Sequence, residues 1–146
     1  MDKSKWLIEL SERGPFWKHD FDELSLAERV FLAIWELESE VNNGGFHQYF
    51  SNSSGDTAFA VCDSLDAIGA HKAARIVAKA NLIFPNAMPP QAQDERESAL
   101  ESLGPKQLAR LERLDEEFLA YPDDLTSLLY DYVQRNVASI RGAGDA

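Results

Sequence analysis

Leu26, Val30, Ala33, Ile34, Leu37 and Val41 recur at helical spacing behind Ser25-Leu26-Ala27-Glu28, a capping-box sequence. The spacing predicts a helix over 25–41, and nothing else constrains the chain as strongly. Phe31 and Trp35, four residues apart, lie away from that stripe, so the helix has two apolar faces. A helix of this kind runs through the middle of a fold or lies in a subunit interface. Asn42-Asn43-Gly44-Gly45 then supplies residues that tolerate positive φ, where a helix must end, and Phe46, Tyr49 and Phe50 resume the i, i+3, i+4 pattern at once. The expected arrangement is a turn that launches three aromatics into the core and leaves His47 and Gln48 nearer the surface.

The rest of the chain has the same character. Ser51–Asp56 is the next break, followed by a helix to about Ala70 with Ala58, Val61, Cys62, Leu65 and Ile68 on one stripe. Further helices are predicted over 71–84, 92–103, 106–121 and 124–140, and a short one near 3–11. Pro85, Pro89-Pro90, Gly104-Pro105 and Tyr121-Pro122 punctuate them. No run alternates with period two for long enough to require a strand. The expectation is an all-α, single-domain bundle of about seven to eight helices over residues 1–146.

Charge is unevenly spread. The formal net charge is −11, from 25 acidic and 14 basic residues. Between Lys18 and Lys72 stand ten acids and one base, Arg29; the remainder carries fifteen acids and thirteen bases. Direct binding to nucleic acid or anionic membrane needs Lys and Arg to neutralise phosphate, so this balance argues against both. A single Cys excludes an internal disulfide framework, and with no signal-like or membrane-spanning run the expected compartment is the cytoplasm.

Chemical motifs are sparse. A phosphate cradle would place Lys and Ser/Thr behind the Gly pair, where Phe46-His47 stands. A nucleophilic site is conceivable from Cys62, His47 and Asp56 or Asp63, the basis of an alternative reading as a small hydrolase or transferase. Against it, Cys62 falls on an apolar stripe among carboxylates that discourage a thiolate. No Glu-x-x-His pair occurs, and Glu36, Glu38 and Glu40 spread around their helix, so neither metal nor cofactor is expected. Trp6, Trp17 and Trp35 read as packing anchors, and His19 and His71 as surface or capping residues. What remains is acidic surface: Glu36 and Glu40 at i, i+4, and Asp56, Asp63 and Asp66 along one helix edge.

The segment 36–56, "ELESEVNNGGFHQYFSNSSGD", resembles a bacterial family defined by the C-terminal domain of a DNA-mimic protein. Leu65–Ala70, Ile83-Phe84-Pro85, Leu114-Asp115 with Phe118, and Tyr132-Val133 with Asn136 continue the likeness over roughly 31–137. The resemblance implies an all-helical domain, commonly a homodimer, with Asn42, Asn43, Gly44, Gly45 and Phe46 as its structural signature. It also implies a function without catalysis. In the member that names the family, carboxylates imitate duplex phosphates and occupy the DNA-binding surface of a helix-turn-helix regulator. Together with the charge asymmetry, this gives the expectation of a basic protein partner, DNA-binding proteins included, docked on Glu36, Glu40, Asp56, Asp63 and Asp66. A third reading is an immunity-type or scaffold protein recognised by shape.

Overall fold

Ser25 Oγ accepts the Glu28 amide at 3.1 Å while Glu28 Oε1 accepts the Ser25 amide at 2.8 Å, so the capping box forms and starts helix α2 (Leu26–Ser51). The computed structural model describes residues 1–145; it is all-α, with seven α-helices and no strand among them. Helix α1 (Lys3–Arg13) is capped by Asp2, and α3 (Ala58–Ala67), α4 (His71–Ala80), α5 (Gln93–Glu101), α6 (Pro105–Leu119) and α7 (Leu125–Arg135) follow. Helix α2 packs against α3, α5, α6 and α7; α4 fills in beside α3 and α6, and α1 lies along α7.

The two apolar faces of α2 place it in the middle of the molecule. Phe31 is fully buried between Phe16, stacked at 4.7 Å, and Trp35, stacked at 5.5 Å. Of the two settings the pattern allowed for Phe31, it occupies the interior. Leu26 departs from its stripe: at the first position of α2 it is 74% exposed, while Ala27, Glu28 and Val30 behind it are buried. Trp17 departs too, standing 61% exposed with its indole Nε1 donating to Ser11 O at 2.9 Å. Trp6 is buried as expected and Trp35 partly so.

The Asn-Asn-Gly-Gly segment bends a helix that continues to Ser51, whereas the sequence predicted a terminus at 41. The backbone leaves helical φ/ψ at Gly44 and Gly45, and of the two only Gly45 takes positive φ, 79°. A Cβ on Gly45 would collide with the Asp115 carboxylate of α6, which accepts the Phe46 amide at 2.8 Å. Asp115 thus caps the restarted half of α2 from another helix, where a carboxylate suits the positive end of the peptide dipoles. Asn42 Nδ2 donates to Glu38 O and to Tyr121 OH, both at 2.8 Å, and so holds the bend to the end of α6 from its other side. Phe46, Tyr49 and Phe50 are buried beyond the bend, His47 is exposed and Gln48 half-buried, as the pattern predicted.

Several predicted helices are shorter. Helix α3 stops at Ala67 before Gly69 (φ 87°), α4 at Ala80 and α7 at Arg135; 3-10 turns Asn81–Ile83 and Val137–Ser139 take up the remainder. The stripes persist through these turns, which is why periodicity alone reads past the true ends.

Candidate acidic docking surface

The five acids singled out from the sequence fall into two settings. Glu36 and Glu40, one turn apart on α2, line a cleft of about 500 Å³ with Trp17, Trp35, Asn52 and Ser54. Glu36 is half-buried, not the fully displayed acid that i, i+4 spacing suggested, and Thr57 Oγ1 donates to its Oε1 at 3.2 Å. Burial pushes its carboxyl up to about 7; the Thr57 bond opposes that, and the charges of Asp56 and Glu40 add to it. Burial also raises Glu38. Glu40 Oε2 accepts Gln48 Nε2 at 2.8 Å and Asn52 Nδ2 at 3.1 Å, so two amides hold that carboxylate in place.

Asp63 and Asp66 occupy the other setting, exposed on the outer edge of α3. Asp66 Oδ1 meets His71 Nδ1 at 2.8 Å across the turn into α4. Asp56 does not share their helix. It lies in the 3-10 turn Ser53–Thr57, where Arg96 Nη2 donates to its Oδ1 at 2.7 Å. Its neighbours are Asp20 and Asp22, with which it lines a cleft of about 340 Å³ walled by Phe21 and Phe59. The same two rings wall the groove that holds Asp63. A row of acids therefore runs from Glu40 and Glu36 through Asp56, Asp20 and Asp22 to Asp63.

Arg96 is the residue that sequence reading missed. Wholly buried, it donates from Nε to Phe50 O, from Nη1 to Pro90 O and Gln91 O, and from Nη2 to Asn52 O and Asp56, all within 2.7–2.9 Å. One guanidinium ties the end of α2 to the 85–92 segment and the Ser53–Thr57 turn. A Cβ on Gly55 would lie 2.8 Å from Arg96 Nε, so the turn has room only for glycine there. A signal was available: Arg96 shares a helix face with Ala99 and Leu100, an unusual place for a charge left unpaired. A second long-range pair, Arg141 with Glu28, sits at the start of α2. Burial opposes ionisation of Glu28, but hydrogen bonds from the Arg141 side chain and the Ser25 and Arg141 amides together hold it at about 2. Arg29 donates to Phe21 O and Asp22 O, bracing the N-terminal approach to α2.

Cys62 and His47 are not brought together by any hydrogen bond. Cys62 is partly buried rather than sealed in the core, with Ala74 O at 3.8 Å and Asn81 Nδ2 at 3.6 Å as its polar contacts. Burial, then the charges of Asp63 and Asp66, push its thiol up to about 11. His47 lies exposed just beyond the bend of α2. Among the described residues no cluster of His, Cys, Asp and Glu has metal-binding geometry, and no helix is long and apolar enough to cross a membrane.

These features define an all-helical protein in which a row of carboxylates runs beside a bent central helix. The chain belongs to the DMP19-like protein family, whose model matches residues 22–136, from the 3-10 turn before α2 to the end of α7. No curated protein and no solved structure matches it.

Proposed function

We propose that this chain is a non-catalytic protein-binding domain whose exposed carboxylates stand in for DNA phosphates on a basic, DNA-binding regulator. Membership of the DMP19-like family is the observation that carries the reading. The row of acids supports it. Asp20, Asp22, Asp63 and Asp66 are exposed, and Glu40 is held by amides without a cationic partner among the described residues. Duplex DNA presents a charge about every 1.7 Å of axis, whereas carboxylates one helical turn apart stand about 5–6 Å apart. One helix face is too sparse to copy that density; several segments together approach it, and a homodimer would double the row.

Within this reading Glu36 and Asp56 contribute less than their formal charge, since one is held partly protonated near neutrality and the other is paired with Arg96. The raised thiol of Cys62 favours a packing role over nucleophilic chemistry. Neutralising Glu40, Asp63 and Asp66 as amides tests the proposal against a DNA-binding partner. The wild type should displace operator DNA from it, steeply less well as salt rises, and the amide variant should displace poorly at every salt concentration. Equal displacement by both proteins would leave recognition by shape as the better account.

A further inference from the structure

The cleft between the α1–α2 connection and the middle of α2 has a composition that a plain acidic face does not need. Trp17 stands over it, largely exposed yet pinned through its indole N–H to Ser11 O. Trp35 forms another part of the wall, its ring stacked against Phe31 with planes only 13° apart. Glu36 and Glu40 line the same space, and none of its nine lining residues is Lys, Arg or His. Neither Glu forms an ion pair among the described residues. Ser54 Oγ, at the same site, has no hydrogen-bond partner among the described residues.

We propose that this cleft receives an arginine side chain of the basic partner, stacked on Trp17 and Trp35 with its guanidinium donating to the Glu36 and Glu40 carboxylates. A planar guanidinium combines aromatic stacking with forked donation to carboxylates, whereas an ammonium offers only a point charge. The inference rests on the docking reading and adds an anchor to it. Protonation is linked to this binding. Glu40 on the same helix and Asp56 on the Ser53–Thr57 turn face Glu36, and Arg96 of α5 engages Asp56. An entering cation favours the ionised form of Glu36, so binding releases protons and tightens as pH rises through 7.

The probe is N-acetylarginine methylamide, followed by NMR of the three indole N–H groups, with Trp6, buried against Tyr130, as an internal control. Trp17 and Trp35 should shift saturably and Trp6 should not. The citrulline analogue, of the same shape without charge, should bind at least tenfold more weakly, and the lysine analogue several-fold more weakly. E36Q/E40Q should lose at least tenfold in affinity while retaining its circular dichroism spectrum, and D63N/D66N should stay within twofold of wild type. Binding equal to that of citrulline, or shifts spread evenly over the exposed acids, overturns the proposal. A cleft that ignores arginine while acid-dependent binding of a basic protein persists overturns this inference and leaves the docking reading in place. Arginine binding in the cleft of a chain whose partner ignores its acids supports the cleft and removes the docking reading.

Discussion

The α2 cleft and the outer edge of α3 each carry two carboxylates about one helical turn apart, yet the structure makes them different chemical objects. Glu36 and Glu40 are partly enclosed, held by Thr57, Gln48 and Asn52, with Glu36 pushed up to about 7. Asp63 and Asp66 stand in solvent, and only Asp66 has a side-chain partner, His71. Helical spacing fixes which carboxylates share a face; the neighbouring elements decide whether that face carries charge. Under the docking proposal, the cleft accordingly recognises a particular group and the α3 edge steers a basic partner.

The largest test of that contrast is Arg96, which braces the cleft side and does not touch the α3 edge. Replacing it with Met should destabilise the protein by roughly 3–5 kcal/mol in urea denaturation, because four carbonyls lose the donors of a wholly buried guanidinium, with a smaller part from the half-exposed Asp56 carboxylate. A loss below about 1 kcal/mol would show that the strut is dispensable.

Glu36 gives the next effect. Its folded-state carboxyl lies above the ordinary value of 4.5, so the protonated form is favoured by folding. The associated stability is present below pH 4.5 and is lost as pH rises through about 7. The loss should be at most about 3 kcal/mol, E36Q should abolish it, and D63N/D66N should preserve it. Glu28 acts in the opposite sense: its stabilisation is present above pH 4.5 and is lost as pH falls toward 2. Melting from pH 3 to 8 would separate the two contributions, and an unchanged profile in E36Q would contradict the assignment.

Cys62→Ala should destabilise by about 1–2 kcal/mol through lost packing on the inner side of α3, with partner binding intact. Selective loss of function in the folded variant would move catalysis by Cys62 to the front. The smallest stability change belongs to D63N/D66N, within about 0.5 kcal/mol of wild type, as expected for exposed acids. Its effect should appear as slower association with the partner, most evident at low salt.

Periodicity was sufficient to read the all-helical class, the burial of Phe46, Tyr49 and Phe50, and the central place of α2, because apolar spacing records which face meets the core. It extended α4 and α7 too far, since 3-10 turns keep the same stripe, and carried α3 past the turn at Gly69. The acids were harder to read. Their electrostatic state depends on partners far along the chain: Arg141 reaches Glu28 across 113 residues and Arg96 reaches Asp56 across 40. A count over 18–72 treats both carboxylates as free charge. The role of Asp115 was hidden for the same reason, as only the bend at Gly45 brings the Phe46 amide to it. Trp17 gives no local sign that it stands outside the core, because its exposure follows from the path between α1 and α2.

Competition with DNA tests the central claim most directly. Protein captured on this chain from native cell extract at low salt should be basic and DNA-binding, and short duplex DNA should release it in proportion to the concentration added. An uncharged polymer should release none, and a column carrying D63N/D66N with E40Q should retain little. A captured protein that duplex DNA fails to displace, held equally well by the amide variant, would contradict the account.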